Sequence, residues 1–299
     1  KDYPALYGYD LSNLEQNKLV NRANISFDSI RTKVKEIYAK GGIITLSWAV
    51  DNPVDPSQGH KGTGVQNTIS KLKTNQTYRN RYNRWLDRLA TYFKSLKTAD
   101  VTLIPIIFRP FHECNGSWFW WGKGADKNTP QEFIHLYQYT IDYLRNTKHV
   151  HNLLNVYCTG RFKSEQKFLL RYPGDKYVDV LAIDVYDKKS YYPNSPIAED
   201  MKDQSATITS IAATHSKICA IAETGMQGMP EQGWWTNTLW YGIKNSGVSY
   251  IMVWGNYGKT SSAYFGTFKG QLTESNFKTF AGKSKMTFLS SLSNATVYQ

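Results

Sequence analysis

The chain has 299 residues, 41% of them hydrophobic, which is enough for one large core and does not require two domains. Its formal net charge of +12 suggests nucleic acid or another polyanion as a partner, but the basic residues are spread along the sequence. The densest group, Arg79, Arg81, Arg84 and Arg88, falls in an amphipathic helix pattern and is most simply its solvated face. We therefore expect a single domain over residues 1–299 that binds no nucleic acid.

Three cysteines, Cys114, Cys158 and Cys219, are an odd number without CxxC spacing, which argues against a disulfide-stapled scaffold and a zinc site. One disulfide bridge is left open. No apolar run approaches the roughly 18 residues of a membrane span, and no signal-peptide pattern follows Lys1. We expect a protein without a membrane span that needs neither a metal nor a cofactor.

Short runs rich in Val, Ile and Leu alternate with longer amphipathic stretches, which is typical of βα units around a parallel sheet. The predicted strands are Ala5–Tyr9, Ile43–Trp48, Leu103–Phe108, Leu153–Tyr157, Val180–Ile183, Ile218–Ala222 and Tyr250–Trp254. The predicted helices are Ser29–Ala39, Tyr78–Leu96, Pro130–Arg145, Ser164–Leu170, Ala198–Ala213, Gly233–Ile243 and Ser275–Leu292. Seven strands are one fewer than a closed (β/α)8 barrel contains.

Polar and aromatic side chains follow the carboxyl end of every predicted strand. In chain order they are Asp10, Trp48 and Asp51, His112 and Glu113, Arg161, Asp184 and Tyr186, Glu223, and Trp254 with Asn256. An α/β barrel builds its active site from loops at this end of the strands. The pattern therefore favours such a barrel, although strand ends are polar in many α/β proteins.

The segment RPFHECNGSWFWWG, residues 109–122, is the most informative part of the sequence. Glu113 lies where the apolar run Val101–Phe108 gives way to a cluster of large aromatic residues, Trp118, Phe119, Trp120 and Trp121. Burial raises the pKa of a carboxyl group toward working pH, and aromatic faces can stack on pyranose rings. The segment indicates an acid that acts on a sugar; the alternative is an incidental Glu at the edge of the core.

A second carboxyl group, Glu223, ends the apolar strand in KICAIAETG and projects from the same end of the predicted barrel. Glycoside hydrolysis requires two carboxyl groups in different surroundings, because one protonates the leaving oxygen and the other attacks or activates water. The alternative is a structural Glu223 that forms a salt bridge, with Arg109 as a candidate partner.

These motifs resemble a known family. FRPFHECNGSWFWWG resembles the acid/base signature of glycoside hydrolase family 26, and IAETG resembles that family's nucleophile strand. YPALYGYD, GGIITLSW, DVLAIDVYD and IMVWGN occur in the matching order, so the resemblance covers nearly the whole chain. It implies a (β/α)8 TIM barrel, most often an endo-β-1,4-mannanase, and a retaining mechanism with the two carboxyl groups roughly 5–5.5 Å apart.

The resemblance also implies roles for individual residues. Glu113 matches the general acid/base and Glu223 the nucleophile. His112 matches a histidine that hydrogen-bonds near the nucleophile and the substrate. Tyr186 matches a tyrosine that donates to the nucleophile and lowers its pKa, so that the nucleophile stays ionised. The cation of Arg109 would have the same effect.

Three further positions match parts of the substrate site. Asp184 would belong to the floor of the cleft, and Trp118 and Trp254 match sugar platforms on either side of the cleavage point. Simple packing or structural support is the alternative for these three residues and for Arg109. A sequon at Asn115 would place a glycan in this cleft, so we expect Asn115 to be unmodified.

The sequence departs from the family pattern in two ways. Where the family reads SWH, this chain has Ala49 after Ser47-Trp48, so a sugar contact is lost or is replaced by Asp51 or Asn52. The carboxyl groups also follow the third and sixth predicted strands, where the family has the fourth and seventh. We therefore expect a segment upstream of Lys1 to carry the first strand.

We expect a monomer that hydrolyses β-mannan polysaccharide or manno-oligosaccharides. The alternatives are a β-1,3-1,4-glucanase or a β-1,3-xylanase of the same family, or a non-catalytic glycan-binding barrel. Polymeric mannan lies outside cells, so we expect an extracytoplasmic location, which includes secretion, the periplasm and the cell surface.

Overall fold

The computed structural model describes residues 2–62, 64–123, 127–188, 197–258, 260 and 264–292. Within them, seven parallel strands pair in chain order and form a nearly closed barrel with helices between the strands. The strands are β1 (Leu6–Asp10), β2 (Ile43–Trp48), β3 (Ile106–Pro110), β4 (Leu153–Thr159), β5 (Val180–Asp187), β6 (Ile218–Met226) and β7 (Val248–Val253). All seven predicted strands are present, and the predicted TIM-barrel class is confirmed.

The α-helices are α1 (Phe27–Ala39), α2 (Thr68–Thr74), α3 (Gln76–Ser95), α4 (Pro130–Asp142), α5 (Glu165–Leu169), α6 (Ile197–Thr214), α7 (Tyr241–Ile243), α8 (Glu274–Ala281) and α9 (Leu289–Leu292). Short 3₁₀ turns cover Leu14–Gln16 and Pro56–Gln58, and π-helical turns cover Tyr143–Thr147 and Trp235–Trp240. The start of α4 follows local sequence rules, since Thr129 and Glu132 form a capping box and Pro130 lies in the first turn.

Several predicted boundaries were wrong. The predicted strand at Leu103 begins only at Ile106, after Pro105, because proline has no N–H for the ladder. The predicted helix Ser275–Leu292 is two helices. Its middle leaves the helical path because Phe288 pairs with Pro4 and the Leu289 N–H donates to the Tyr3 carbonyl at 2.8 Å, a contact with the start of the chain.

The helix α3 buries the face that the sequence predicted, with Tyr82, Trp85, Leu89 and Phe93 in the core. The prediction that its arginines form a solvated face was wrong for two of them. Arg81 donates to the carbonyls of Pro53 and Val54 at 2.9 and 3.1 Å, and Arg88 donates to the carbonyl of Glu15. These bonds fasten α3 to the loops that follow β1 and β2.

The core has two parts, which follow from the alternation of side chains along each strand. Outward-facing residues pack against the helices in the larger cluster. The smaller cluster lies inside the barrel and is built largely from small residues, namely Ile107, Val156, Cys158, Val180, Ala182, Ala220 and Ala222. Small side chains leave room there for the one large polar group on β3, Arg109, which is 1% exposed.

A β-bulge in β6 decides the direction of Glu223. Ile183 of β5 pairs with Ile221, but Asp184 pairs with Glu223, so Ala222 is the extra residue. Ala222 already packs inside the barrel, and strict alternation would turn the next side chain outward. The bulge instead directs Glu223 to the same interior as Asp184.

The three cysteines are free and buried, so the disulfide bridge that the sequence left open is absent. Among the helices that the structure describes, none is long and apolar enough to cross a membrane. The predicted segment upstream of Lys1 stays a prediction.

Candidate active site

The loop after β3 carries Glu113 in a strained backbone conformation. Phe111 and Glu113 have φ angles of +53° and +51°, which residues with a side chain adopt rarely. Such strain persists where the surroundings hold the backbone in place. Here the Phe111 ring is buried among aromatic rings at centroid distances of 6.0–6.4 Å, those of Trp48, Trp120, Trp121, Phe133 and Tyr137.

Asn115 fastens the same loop to the end of β4. Its amide nitrogen donates to the carbonyls of Gly160 and Arg161 at 3.2 and 2.9 Å, and its oxygen accepts from the Gly160 N–H at 2.8 Å. Both ends of the amide are therefore occupied by backbone groups. This geometry is incompatible with a glycan on Asn115, and it fixes Glu113 two residues earlier in the chain.

Glu113 has the electrostatics of a general acid. Burial, together with the negative charge of Glu223, raises its pKa to about 7. The indole Nε1–H of Trp118 donates to Glu113 Oε2 at 2.5 Å. Because an indole can only donate, that oxygen accepts, and the proton of the neutral acid is placed on the other oxygen.

Two donors bind the side-chain oxygens of Glu223. The Tyr186 hydroxyl donates to Glu223 Oε2 at 2.7 Å, and the Arg109 guanidinium donates to Oε1. Arg109 also pairs with Asp184 at 2.8 Å. The sequence had placed three of these residues just beyond their strands, but Asp184, Tyr186 and Glu223 lie within β5 and β6, since both strands extend further than their apolar runs.

Arg109 supplies the positive charge of the site. Burial opposes that charge, but the carboxylates of Asp184 and Glu223 outweigh it and raise the pKa of Arg109 well above its ordinary value. The salt bridge expected if Glu223 were structural is thus present. The salt bridge is only part of the environment of Glu223. The Tyr186 hydroxyl also donates to the Glu223 carboxylate, and the charge of Glu223 raises the pKa of Glu113.

His112 is a neutral imidazole at the floor of the site. Burial, with Arg109 nearby, lowers its pKa well below the ordinary value. Its ring contacts Phe119 at 4.8 Å, and its Nδ1 has no partner in the described part of the chain. Ligand-type atoms of His112, Asp184 and Glu223 lie within 4.8 Å of one another. The Arg109 guanidinium already binds both carboxylates, so this set does not suit a metal ion.

Aromatic side chains form the rim of the cleft. Trp118 is 48% exposed, which leaves a face of its indole open to a ligand. Trp254 follows β7. Its backbone N–H donates to the Thr224 carbonyl at 2.9 Å, and its ring centroid lies 6.3 Å from that of Tyr257. The structure therefore brings all eight predicted site residues to the carboxyl ends of β3, β5, β6 and β7.

Sequence reasoning missed three residues beside the two carboxyl groups. Tyr257 has its pKa raised to about 12 by desolvation and by the charges of Glu223 and Asp10. Lys188 lies 4.9 Å above the Tyr186 ring. Phe265 meets the Tyr186 ring at 5.6 Å. Only Tyr257 had a usable signal, as an aromatic residue three positions after the predicted β7 tryptophan.

Neither residue expected to compensate for Ala49 is available to a sugar. The Asn52 amide donates to Thr68 Oγ1 at 3.0 Å, and its oxygen accepts from the Val54 N–H at 2.9 Å. The Asp51 carboxylate is paired with Arg22. Asp51 and Asn52 are 2% and 1% exposed, which favours the other alternative from the sequence, that the histidine's sugar contact is lost.

The Trp118→Phe variant tests the bond to Glu113. Phe retains an aromatic face but has no N–H, and the Trp118 bond lowers the pKa of Glu113. We expect the alkaline limb of kcat/KM to move to higher pH and kcat/KM at pH 6 to fall about tenfold, since a hydrogen bond to a charged or ionisable group contributes about 1.5 kcal/mol. The matched control is the same substitution at Trp240, whose indole ring lies 5.8 Å from the Lys283 ammonium group and away from Glu113. An unmoved limb contradicts the prediction.

Comparison with known proteins assigns the family. The family model described as glycosyl hydrolase family 26 matches residues 1–257. The chain belongs to glycosyl hydrolase family 26. This confirms the family inferred from the two motifs, and the family match includes both Glu113 and Glu223.

Two curated relatives of the chain come from bacteria. The chain is 34% identical over 307 residues to a mannan endo-1,4-beta-mannosidase of Bifidobacterium adolescentis, covering 95% of this chain and 30% of that protein. It is 30% identical over 202 residues to a mannan endo-1,4-beta-mannosidase of Bacillus subtilis, covering 64% and 52%. The chain thus spans 30% of the length of the first relative and 52% of the length of the second.

A solved family 26 structure has the same architecture along the full chain. The GH26 beta-mannanase from Bacteroides ovatus superposes with a TM-score of 0.91 at 34% identity, covering 100% of this chain and 84% of that one.

Proposed function

We propose that the protein is an endo-β-1,4-mannanase that hydrolyses β-1,4-mannosidic bonds in mannan, galactomannan or glucomannan with retention of configuration. The observation that carries the proposal is the unequal pair of carboxyl groups in one barrel mouth. Glu113 has its pKa raised to about 7, with burial as the main cause, and Glu223 accepts from Tyr186 and Arg109. The choice of mannan is supported by the relatives named mannan endo-1,4-beta-mannosidase.

In the first step, the Glu223 carboxylate attacks the anomeric carbon while Glu113 donates its proton to the glycosidic oxygen. The glycosidic bond breaks, the aglycone leaves as an alcohol, and an ester forms between the sugar and Glu223. Tyr186 and Arg109 hold the Glu223 carboxylate in one orientation for attack. Fixed orientation matters because near-attack geometry contributes a large part of the rate.

In the second step, Glu113, now a carboxylate, takes a proton from water, and the hydroxyl attacks the same anomeric carbon. The ester bond breaks, and Glu223 leaves as a carboxylate that its two donors stabilise. Two inversions at one carbon give net retention. Glu113 thus serves as acid and then as base, which suits a pKa of about 7.

The other predicted residues support this chemistry. Asp184 holds Arg109 through the 2.8 Å ion pair. The neutral His112 offers hydrogen bonding near the sugar without adding charge. The exposed ring of Trp118 and that of Trp254 provide stacking faces on either side of the carboxyl pair. We also propose that the enzyme is a monomer and works outside the cytoplasm, where polymeric mannan occurs.

Hydrolysis of a substrate panel tests the proposal. With galactomannan, glucomannan, lichenan and β-1,3-xylan at equal mass, we expect new reducing ends from the mannans at a rate at least about tenfold above the others, since cleft contacts discriminate by a few kcal/mol. Products of mixed length from mannohexaose support endo action. Detection by NMR of the β-anomer as the first product supports retention. Cleavage of lichenan or β-1,3-xylan alone indicates one of the two sister activities, and binding without cleavage indicates a glycan-binding barrel.

A further inference from the structure

We infer that His60 is a substrate-positioning residue whose Nε2–H donates to a sugar hydroxyl at the edge of the cleft. The inference rests on the proposed function and adds a contact from a loop that carries none of the family motifs. His60 lies in the segment between β2 and α2, beyond the 3₁₀ turn Pro56–Gln58.

The backbone places His60 directly against the catalytic loop. Its carbonyl accepts from the Trp120 N–H at 3.2 Å, and the Gly62 N–H donates to the Trp118 carbonyl at 2.9 Å. Between these two hydrogen bonds, Lys61 forms an antiparallel bridge with Phe119. The loop thus runs as a short extra strand beside the segment that carries the exposed Trp118.

The side chain shares an aromatic partner with His112. The His60 ring centroid lies 5.5 Å from that of Phe119, and Phe119 lies 4.8 Å from His112. The charges that act on His60 are those of Arg22, Asp10 and Lys61. His60 is therefore a member of the group at the carboxyl ends of β1 to β3.

The ring's hydrogen bonding points to one tautomer. Nδ1 of His60 is enclosed and has no partner in the part of the chain that the structure describes. Nδ1 lacks a partner in either tautomer, but a buried N–H without an acceptor is rarer than a buried acceptor without a donor, so the neutral ring is assigned its proton on Nε2, the nitrogen that is not enclosed. The ring is only partly buried, which leaves this donor edge for a ligand. Burial, with Arg22 nearby, lowers the pKa of His60 to about 4, so the ring is neutral at working pH.

The His60→Ala and His60→Gln variants test the inference through kinetics on mannohexaose. We expect His60→Ala to raise KM about fivefold to tenfold with kcat within about twofold, because one neutral hydrogen bond made equally in ground and transition states is lost. The Gln side chain offers an N–H near the position of Nε2, so His60→Gln should return KM to within about threefold of wild type. His135→Ala, on the exposed face of α4, is the matched control.

Binding measured apart from turnover makes the outcome decisive. In the Glu223→Gln background, calorimetry with mannohexaose should give a Kd about fivefold to tenfold weaker when His60→Ala is added. An unchanged KM and Kd overturn the inference, and so does a loss of kcat and thermal stability that His60→Gln fails to restore, which indicates a structural prop. If the wild type cuts no mannan and Glu223→Gln binds no mannohexaose, both the proposed function and this inference fail. If the wild type is active and His60→Ala leaves KM and Kd unchanged, only the inference fails.

Discussion

Replacing Glu223 by Gln is expected to lower kcat on mannan by about 10⁴-fold or more, because the amide cannot form the glycosyl ester. The amide has nearly the same shape, and its oxygen still accepts from Tyr186 or Arg109. Binding of mannohexaose should therefore be retained within a few fold. The measurement is initial rate of reducing-end release against a calorimetric Kd for the same preparation.

Two controls separate lost chemistry from lost structure in this variant. Glu165→Gln, at an exposed position on α5, should have wild-type activity. Because Arg109 would keep only Asp184 as its anionic partner, thermal unfolding of Glu223→Gln should be recorded as well. In Glu223→Ala, azide can enter the vacated space and attack from that side, so an α-mannosyl azide is expected. Retention of more than about 1% of wild-type activity by a pure Glu223→Gln preparation contradicts the nucleophile assignment.

The second large effect concerns Glu113 and pH. In the free enzyme Glu113 must be protonated to donate to the leaving oxygen, and burial with the charge of Glu223 raises its pKa to about 7. We therefore expect kcat/KM to be level below about pH 6, to be halved near pH 7 and to fall about tenfold per pH unit above about pH 8. The profile should be measured on mannohexaose well below KM. A profile that is flat to pH 9 contradicts the assignment of Glu113 as the acid.

Glu113→Ala should reduce hydrolysis of mannan by about 10²- to 10⁴-fold, the usual contribution of a general acid or base. A dinitrophenyl β-mannobioside has a leaving group that needs no proton, so its first step should be nearly normal and a burst of dinitrophenolate should precede slow turnover. The alkaline limb should disappear in this variant. Equal losses on both substrates without a burst indicate a disturbed site and count against the role of Glu113 as acid.

The raised pKa of Glu113 also has a consequence for stability. The native state holds this proton more tightly than the unfolded state, whose carboxyl has the ordinary value of 4.5. Its contribution to stability is therefore full below about pH 4.5 and is lost as pH rises through about 7. The site thus becomes less stable between about pH 4.5 and 7, just below the pH range in which it loses its acid, as expected when a buried group serves function.

The sequence by itself determined the architecture and the reacting groups. Apolar runs separated by amphipathic stretches predict βα units, and in a parallel barrel every strand delivers its carboxyl end to the same face. The positions of Glu113 and Glu223 directly after such runs were therefore enough to bring them to one cleft. Local features were equally readable, such as the capping box that begins α4 at Pro130.

Tertiary structure alone decided how the groups are aimed and what surrounds them. The bulge at Ala222 that directs Glu223 inward is an extra residue in β6 opposite β5, and the apolar run Ile218–Ala222 does not indicate where such a residue is inserted. The same holds for Arg81 of α3, which bonds to a loop carbonyl, and for the contact of His60 with Phe119 across 59 positions. Such contacts join residues far apart in the chain, so they contribute to the free energy of folding only once the barrel has formed.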